Sequence, residues 1–219
     1  FTQAQTQFLS GSGDVAFLGG SITEMEGYRP KVCAYLEKKY PKTDFHFVAA
    51  GVASTCSDYG AFRVESDVLS RCKKGAPDLF FVEFAVNDDQ DGRFSLEHSI
   101  RGMEGIVRRI LKANPKAGIV MIFFANEHLL SEYAAGRVAT SIQAHRAVAE
   151  RYGVATIDVA HELQQRIAEG TLSWQEYGGV HPADRGNQMT ADMISTLLDS
   201  VWSKPATCTL CTMMKEDAP

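Results

Sequence analysis

The chain has no apolar stretch near the ~20 residues that a membrane-crossing helix requires; its longest apolar runs, 79–86 and 118–125, have the length of strands. It has no basic run, and its 219 residues carry a net charge of −5, so neither nucleic acid nor an anionic membrane is expected as a partner. Nor is it starved of apolar residues: 45% hydrophobic and 22% charged is ordinary globular composition, which excludes wholesale disorder. An even cysteine complement is also missing. Five thiols, Cys33, Cys56, Cys72, Cys208 and Cys211, do not all pair within one chain. The single C-x-x-C at Cys208 and Cys211 lacks the second pair that a zinc site wants, and reads as a local disulfide or two thiols in a tail. His161-Glu162 opens HELQQ, without the second histidine of a zinc-protease helix. GSGDVA at 11–16 precedes an apolar run where a dinucleotide fingerprint must follow one, so it reads as a turn. No metal and no cofactor are therefore expected. The opening FTQAQTQ is polar, begins with Phe and has no hydrophobic signal region, which suggests a processed or trimmed chain. A processed form would point to a secreted or periplasmic setting.

What the chain does have is alternation. Strand-like runs at 14–19, 44–50, 78–86, 118–125 and 154–159 are separated by helical patterns near 29–40, 60–73, 95–113, 134–152 and 160–169. In the third of these helices Leu96, Ile100, Met103, Val107, Ile110 and Leu111 form one apolar stripe that stops at Asn114-Pro115. Repeated βα units predict a parallel sheet covered on both faces, an α/β class domain. The organisation reads as an N-terminal segment over 1–13, one domain over 14–204, and a tail or linker stub over 205–219.

The chemistry gathers at strand ends. DVAFLGGSIT drives a buried strand into two glycines, Ser21 and a helix start, which places a hydroxyl at the carboxyl edge of the sheet where α/β folds bind ligands. FHFVAAG ends a second strand at Gly51. DLFFVEFAVND ends a third at Asn87, whose amide suits an oxyanion. Near the end of the chain, GGVHPADRGNQ sets His181 in a Gly/Pro-rich loop before the last apolar-periodic helix. Each block alone is commonplace. Their order along one sheet edge is what favours a nucleophile and its base.

This set resembles the SGNH (GDSL-type) hydrolase family over about residues 14–203. The resemblance implies a serine esterase on a flavodoxin-like three-layer α/β/α sandwich with five parallel strands in the order 2-1-3-4-5. It also implies Ser21 as nucleophile, His181 as base, and an oxyanion hole made by Ser21, Gly51 and Asn87. Two departures accompany it. The family's GDS triplet reads Gly19-Gly20-Ser21, and the acid expected three residues before the histidine is replaced by Gly178. A backbone carbonyl in the stretch 177–179 or a water, the carboxylate of Glu176, or Asp184 or a more distant acid are the alternatives for orienting His181. Asp88, Asp89 and Asp91 read as a solvated acidic loop. Glu83, inside an apolar strand, needs a buried partner, and Arg63 is the expected one, bracing the Asn87 loop.

By the same resemblance the expected substrate is a small-molecule or oligosaccharide ester, with O-acetyl groups on carbohydrate first. A lysophospholipase or thioesterase using the same residues, and a binding protein of this fold that has lost its acid, are the other readings.

Overall fold

The structure is a computed structural model and describes residues 1–203; the C-x-x-C at Cys208 and Cys211 and the stretch 205–219 lie outside the described residues. Five strands, β1 (Ser12–Gly19), β2 (Asp44–Gly51), β3 (Leu79–Glu83), β4 (Gly118–Phe123) and β5 (Ala155–Asp158), form one sheet in the order β2-β1-β3-β4-β5. Every pairing is parallel, and β1 runs alongside β2 from Ser12↔Asp44 to Gly19↔Gly51. This is the α/β three-layer sandwich and strand order that the resemblance implies. The central strands explain themselves. All five residues of β3 and all six of β4 are buried, as a strand sandwiched between helical layers demands.

Helices connect each strand to the next. After β1 come the single turn α2 (Ser21–Glu24) and α3 (Tyr28–Lys39), and after β2 comes α4 (Ser57–Asp67). The β3–β4 crossover holds α5 (Ala85–Gln90) and α6 (Leu96–Ala113), and the β4–β5 crossover holds α7 (Glu127–Ala134) and α8 (Thr140–Tyr152). Beyond β5 follow α9 (Val159–Ala168), the short α10 (Trp174–Tyr177) and α11 (Asp184–Trp202). Helices α4, α6 and α8 pack side by side, while α3 packs on α11.

Several boundaries differ from the sequence reading. Within the N-terminal segment 1–13, α1 (Thr2–Leu9) buries Ala4 and Phe8, and β1 already begins at Ser12, so the glycine-rich run 11–16, read as a turn, is mostly strand. The expected strand 78–86 ends at Glu83, and Asn87 sits in the first turn of a helix. Apolar residues at 84–86 are equally compatible with a buried helix, which periodicity over so few positions does not distinguish.

Candidate active site

The carboxyl edge of the sheet is where β1 and β3 release their chains. Beyond Gly19, Gly20 turns the backbone and Ser21 opens α2, so the Ser21 N–H belongs to the first turn, which has no intrahelical acceptor. The Ser21 hydroxyl lies 2.8 Å from Nε2 of His181, which arrives on the exposed loop between α10 and α11. Residues 160 positions apart thus meet at hydrogen-bond distance.

Asn87 is buried beside this pair. Its amide donates one hydrogen to Asp91 Oδ2 at 2.7 Å, one helical turn further on, which leaves the second N–H for an acceptor at the site. Gly20 makes this placement possible: a Cβ at residue 20 would collide with Asn87 Oδ1. Gly51 behaves differently from expectation. The Val52 N–H donates to Gly19 O at 3.0 Å, so strand alternation turns the Gly51 N–H to the outer side of edge strand β2. Gly51 is bare because α2 lies directly on it, and a Cβ there would strike the backbone of Glu24. The turn past it carries Ser54 at φ +56°, a conformation uncommon for a residue with a side chain and absent from the sequence reading.

The acid alternatives separate clearly. Glu176 is held in a capping box with Ser173 and pairs with Arg185 Nη1 at 2.5 Å. Asp184 pairs with Lys31 at 2.7 Å. Neither bonds His181, and among the described residues its ring has no hydrogen-bond partner other than Ser21, so Nδ1 is left to solvent. Gly178 sits at φ +112°, and a Cβ there would run into the backbone of Ala183. The position that the resemblance reserves for an acid is closed to any side chain in this backbone.

Beneath the nucleophile turn lies Glu83, fully buried at the end of β3. Its Oε1 accepts from the Gly20 N–H at 2.9 Å and from the Thr23 hydroxyl at 2.7 Å, and Thr23 in turn meets Tyr28 Oη at 3.0 Å. Burial pushes the Glu83 carboxyl up to about 7, against the lowering effect of those donors and of the Arg63 charge. Arg63 does not pair with Glu83. Its guanidinium instead donates to the carbonyls of Ala50 and Gly19, at 2.6 and 2.8 Å, and to Asp67. The expected pair is therefore two separate braces, and Glu83 supports the Ser21 turn rather than the Asn87 loop.

The acidic run after Asn87 is not a solvated loop. Asp88 is fully buried, accepting from Ser57 N–H and Oγ at 2.8 and 2.7 Å, from Ser99 Oγ at 2.5 Å and from His145 Nε2 at 3.0 Å. Burial alone would raise its carboxyl, but His145 and the serine donors hold it below its ordinary value. One carboxylate thereby ties α5 to α4, α6 and α8. Nearby Cys56 is no rival nucleophile, since burial, with the charges of Asp88 and Asp58, pushes its thiol up to about 12. No cluster of three or more metal-ligating side chains occurs among the described residues, and no described helix is long and apolar enough to cross a membrane.

Comparison with known proteins bears on the family and the fold. Among curated proteins none matches the sequence. A two-domain esterase active on acetylated mannans is 27% identical, with TM-score 0.80 over 95% of this chain and 54% of its own. The acetylxylan esterase Axe2 from Geobacillus stearothermophilus, solved as a catalytic mutant, is 20% identical, with TM-score 0.64 over 84% of this chain and 93% of its own. The alpha/beta hydrolase LAE5, from the metagenome of Lake Arreo, is 19% identical, with TM-score 0.66 over 85% and 95%. The chain spans about half the length of the acetylmannan esterase it resembles. The family model described as GDSL-like Lipase/Acylhydrolase matches residues 17–189, from within β1 to within α11, and the chain accordingly belongs to that family.

Proposed function

We propose that this protein cleaves short-acyl esters, O-acetyl groups on carbohydrate foremost, through an acyl-enzyme on Ser21. The observation that carries the reading is the 2.8 Å contact between Ser21 Oγ and His181 Nε2, with the buried Asn87 beside the turn that bears Ser21. His181 takes the hydroxyl proton as Ser21 attacks the ester carbonyl. The Ser21 N–H and the free Asn87 amide hydrogen then stabilise the tetrahedral oxyanion. Collapse expels the alcohol, which receives the proton from His181. Water repeats the sequence on the acyl group, and the acid and free Ser21 are regenerated. Among the described residues no charged partner bonds His181, so the imidazolium that forms at each step relies on solvent instead of a carboxylate.

The carbohydrate part of the reading draws on the likeness to esterases active on acetylated mannans and to acetylxylan esterases. The test is acetate release from acetylated oligosaccharides by wild type and Ser21→Ala, with para-nitrophenyl esters of increasing acyl length alongside. The expected outcome is a wild-type rate that falls with acyl length and a Ser21→Ala protein that folds normally and releases no acetate. Activity in Ser21→Ala sinks the assignment, and a rate that rises with acyl length replaces it with a lysophospholipase or thioesterase type.

A further inference from the structure

Two clefts are lined by chain neighbours of the Ser21–His181 pair. The smaller, about 240 Å³, runs along Ile22 and Pro182, the chain neighbours of the pair, and its Lys31 and Asp184 are spent on each other. The larger, about 420 Å³, lies on the opposite side of the histidine in sequence: Val180 forms one wall, and Asp89, two residues beyond Asn87, contributes another. Only the larger reaches the ~300–1,000 Å³ typical of ligand clefts.

Its polar groups are arranged rather than scattered. Asp89 is nearly buried, its side chain 10% exposed, and accepts from Asn126 Nδ2 at 3.0 Å and from His128 Nδ1 at 2.9 Å. With Nδ1 committed as a donor to Asp89, Nε2 is the ring nitrogen of His128 left for a ligand, and the side chain is 59% exposed. Across the same cleft stands Arg93, whose backbone is held at φ +46° and whose guanidinium has no hydrogen bond or ion pair among the described residues. Glu127 is exposed and likewise free. The cleft thus offers donors and acceptors together. Its Arg93 charge is offset by Asp89 and Glu127, which disfavours a phosphate or carboxylate ligand and suits hydroxyls, each of which donates and accepts. Among the described residues no Phe, Tyr or Trp lines it, so recognition falls to hydrogen bonds more than to stacking.

We propose that the cleft between α5, the Arg93 turn and the start of α7 is the subsite for the sugar that bears the ester, with Arg93 and His128 Nε2 gripping neighbouring hydroxyls and Asp89 orienting His128. This rests on the carbohydrate-esterase reading of the site. Arg93→Ala and His128→Ala, each checked for an unchanged melting temperature, are to be compared with wild type on acetylated xylo- and mannooligosaccharides and on para-nitrophenyl acetate. The expected result is a loss of about tenfold or more in kcat/KM on the oligosaccharides, carried mainly by KM, against a loss under about threefold on the aryl ester. Equal losses on both substrates, or oligosaccharide KM values like wild type, overturn the subsite while leaving the esterase reading in place. A wild type that cleaves the aryl ester and releases acetate from no oligosaccharide overturns the carbohydrate reading, and the subsite with it.

Discussion

Gly178 governs what the base is able to be. At φ +112° with Ala183 packed against it, the residue has no room for the carboxylate that the family pattern places there. Gly178→Asp is therefore expected to lower the melting temperature and to leave kcat unimproved, because a side chain there is strained before it reaches His181. A stable Gly178→Asp protein with a raised kcat would show that the loop reshapes to accept an acid. The two nearest acids are occupied elsewhere, so Glu176→Gln and Asp184→Asn should each change kcat by less than about tenfold, against the ~10⁴ that follows loss of a working triad acid. Steady-state kinetics of the two variants decides it, since a hundredfold loss in either folded variant would name that residue as the acid. Asn87→Ala should cost ~10²–10³ in kcat, the usual effect of removing one oxyanion donor, and Asp91→Ala should cost part of it through kcat more than KM by freeing the Asn87 amide to rotate. A wild-type kcat for Asn87→Ala would remove the amide from the oxyanion hole.

At the scale of elements, the site is a junction of β1, β3 and the helices that follow them, and Glu83 is the tie between strand β3 and turn α2. Its folded carboxyl is raised from 4.5 to about 7, so the folded state holds the proton more tightly than the unfolded chain. The sign follows directly: stability from this group is fully present below pH 4.5 and declines as pH climbs towards 7. Glu83→Gln keeps an oxygen acceptor for the Gly20 N–H and Thr23 hydroxyl and cannot ionise. The wild-type-minus-variant difference in unfolding free energy should therefore fall across that window; a flat difference from pH 4 to 8 would mean Glu83 is not the titrating group. This tie also marks how far the sequence was legible. β1, β3 and β4 announced themselves as largely apolar runs because central strands are covered on both faces, whereas the edge strands β2 and β5 are only partly buried and read less clearly. Helices α5 and α10 are only six and four residues long, too few to display a 3.6-residue period. Missing α5 hid the i, i+4 relation of Asn87 to Asp91 and made Asp88 look like part of a surface loop. Ser21, Asn87 and His181 were legible because glycine, proline and strand ends mark them. The partner of Glu83 was not, since which of two buried groups bonds to which depends on angstrom-scale packing that no spacing encodes.

On the scale of the whole molecule, the sheet separates chemistry from closure. All parts of the candidate site stand at the carboxyl ends of the strands, whereas the chain's two described ends meet at the opposite edge. There α1 covers the strand beginnings: Phe8 lies edge-on to Phe45 at the start of β2, with ring centroids 5.0 Å apart, and against Tyr40 and Trp202 at 5.5 and 6.0 Å. Gly13 in β1 gives Phe8 its space, and Trp202 ends α11. This aromatic cluster joins α1 and α11 into one core with the start of β2. Phe8, 1% exposed, fills a site that cannot collapse easily because strand backbone and three rings surround it. Phe8→Ala should accordingly lower unfolding free energy by ~3–5 kcal/mol, the cost of an aromatic core truncation. Below the unfolding transition, kcat/KM on para-nitrophenyl acetate should stay within about twofold of wild type, because the nucleophile turn is braced from Glu83 and Arg63 and owes nothing to α1. Denaturant unfolding and esterase kinetics on the same preparation test both halves. A loss of activity in step with the loss of stability would mean that the two edges of the sheet are coupled and that the brace beneath Ser21 does not hold the turn by itself.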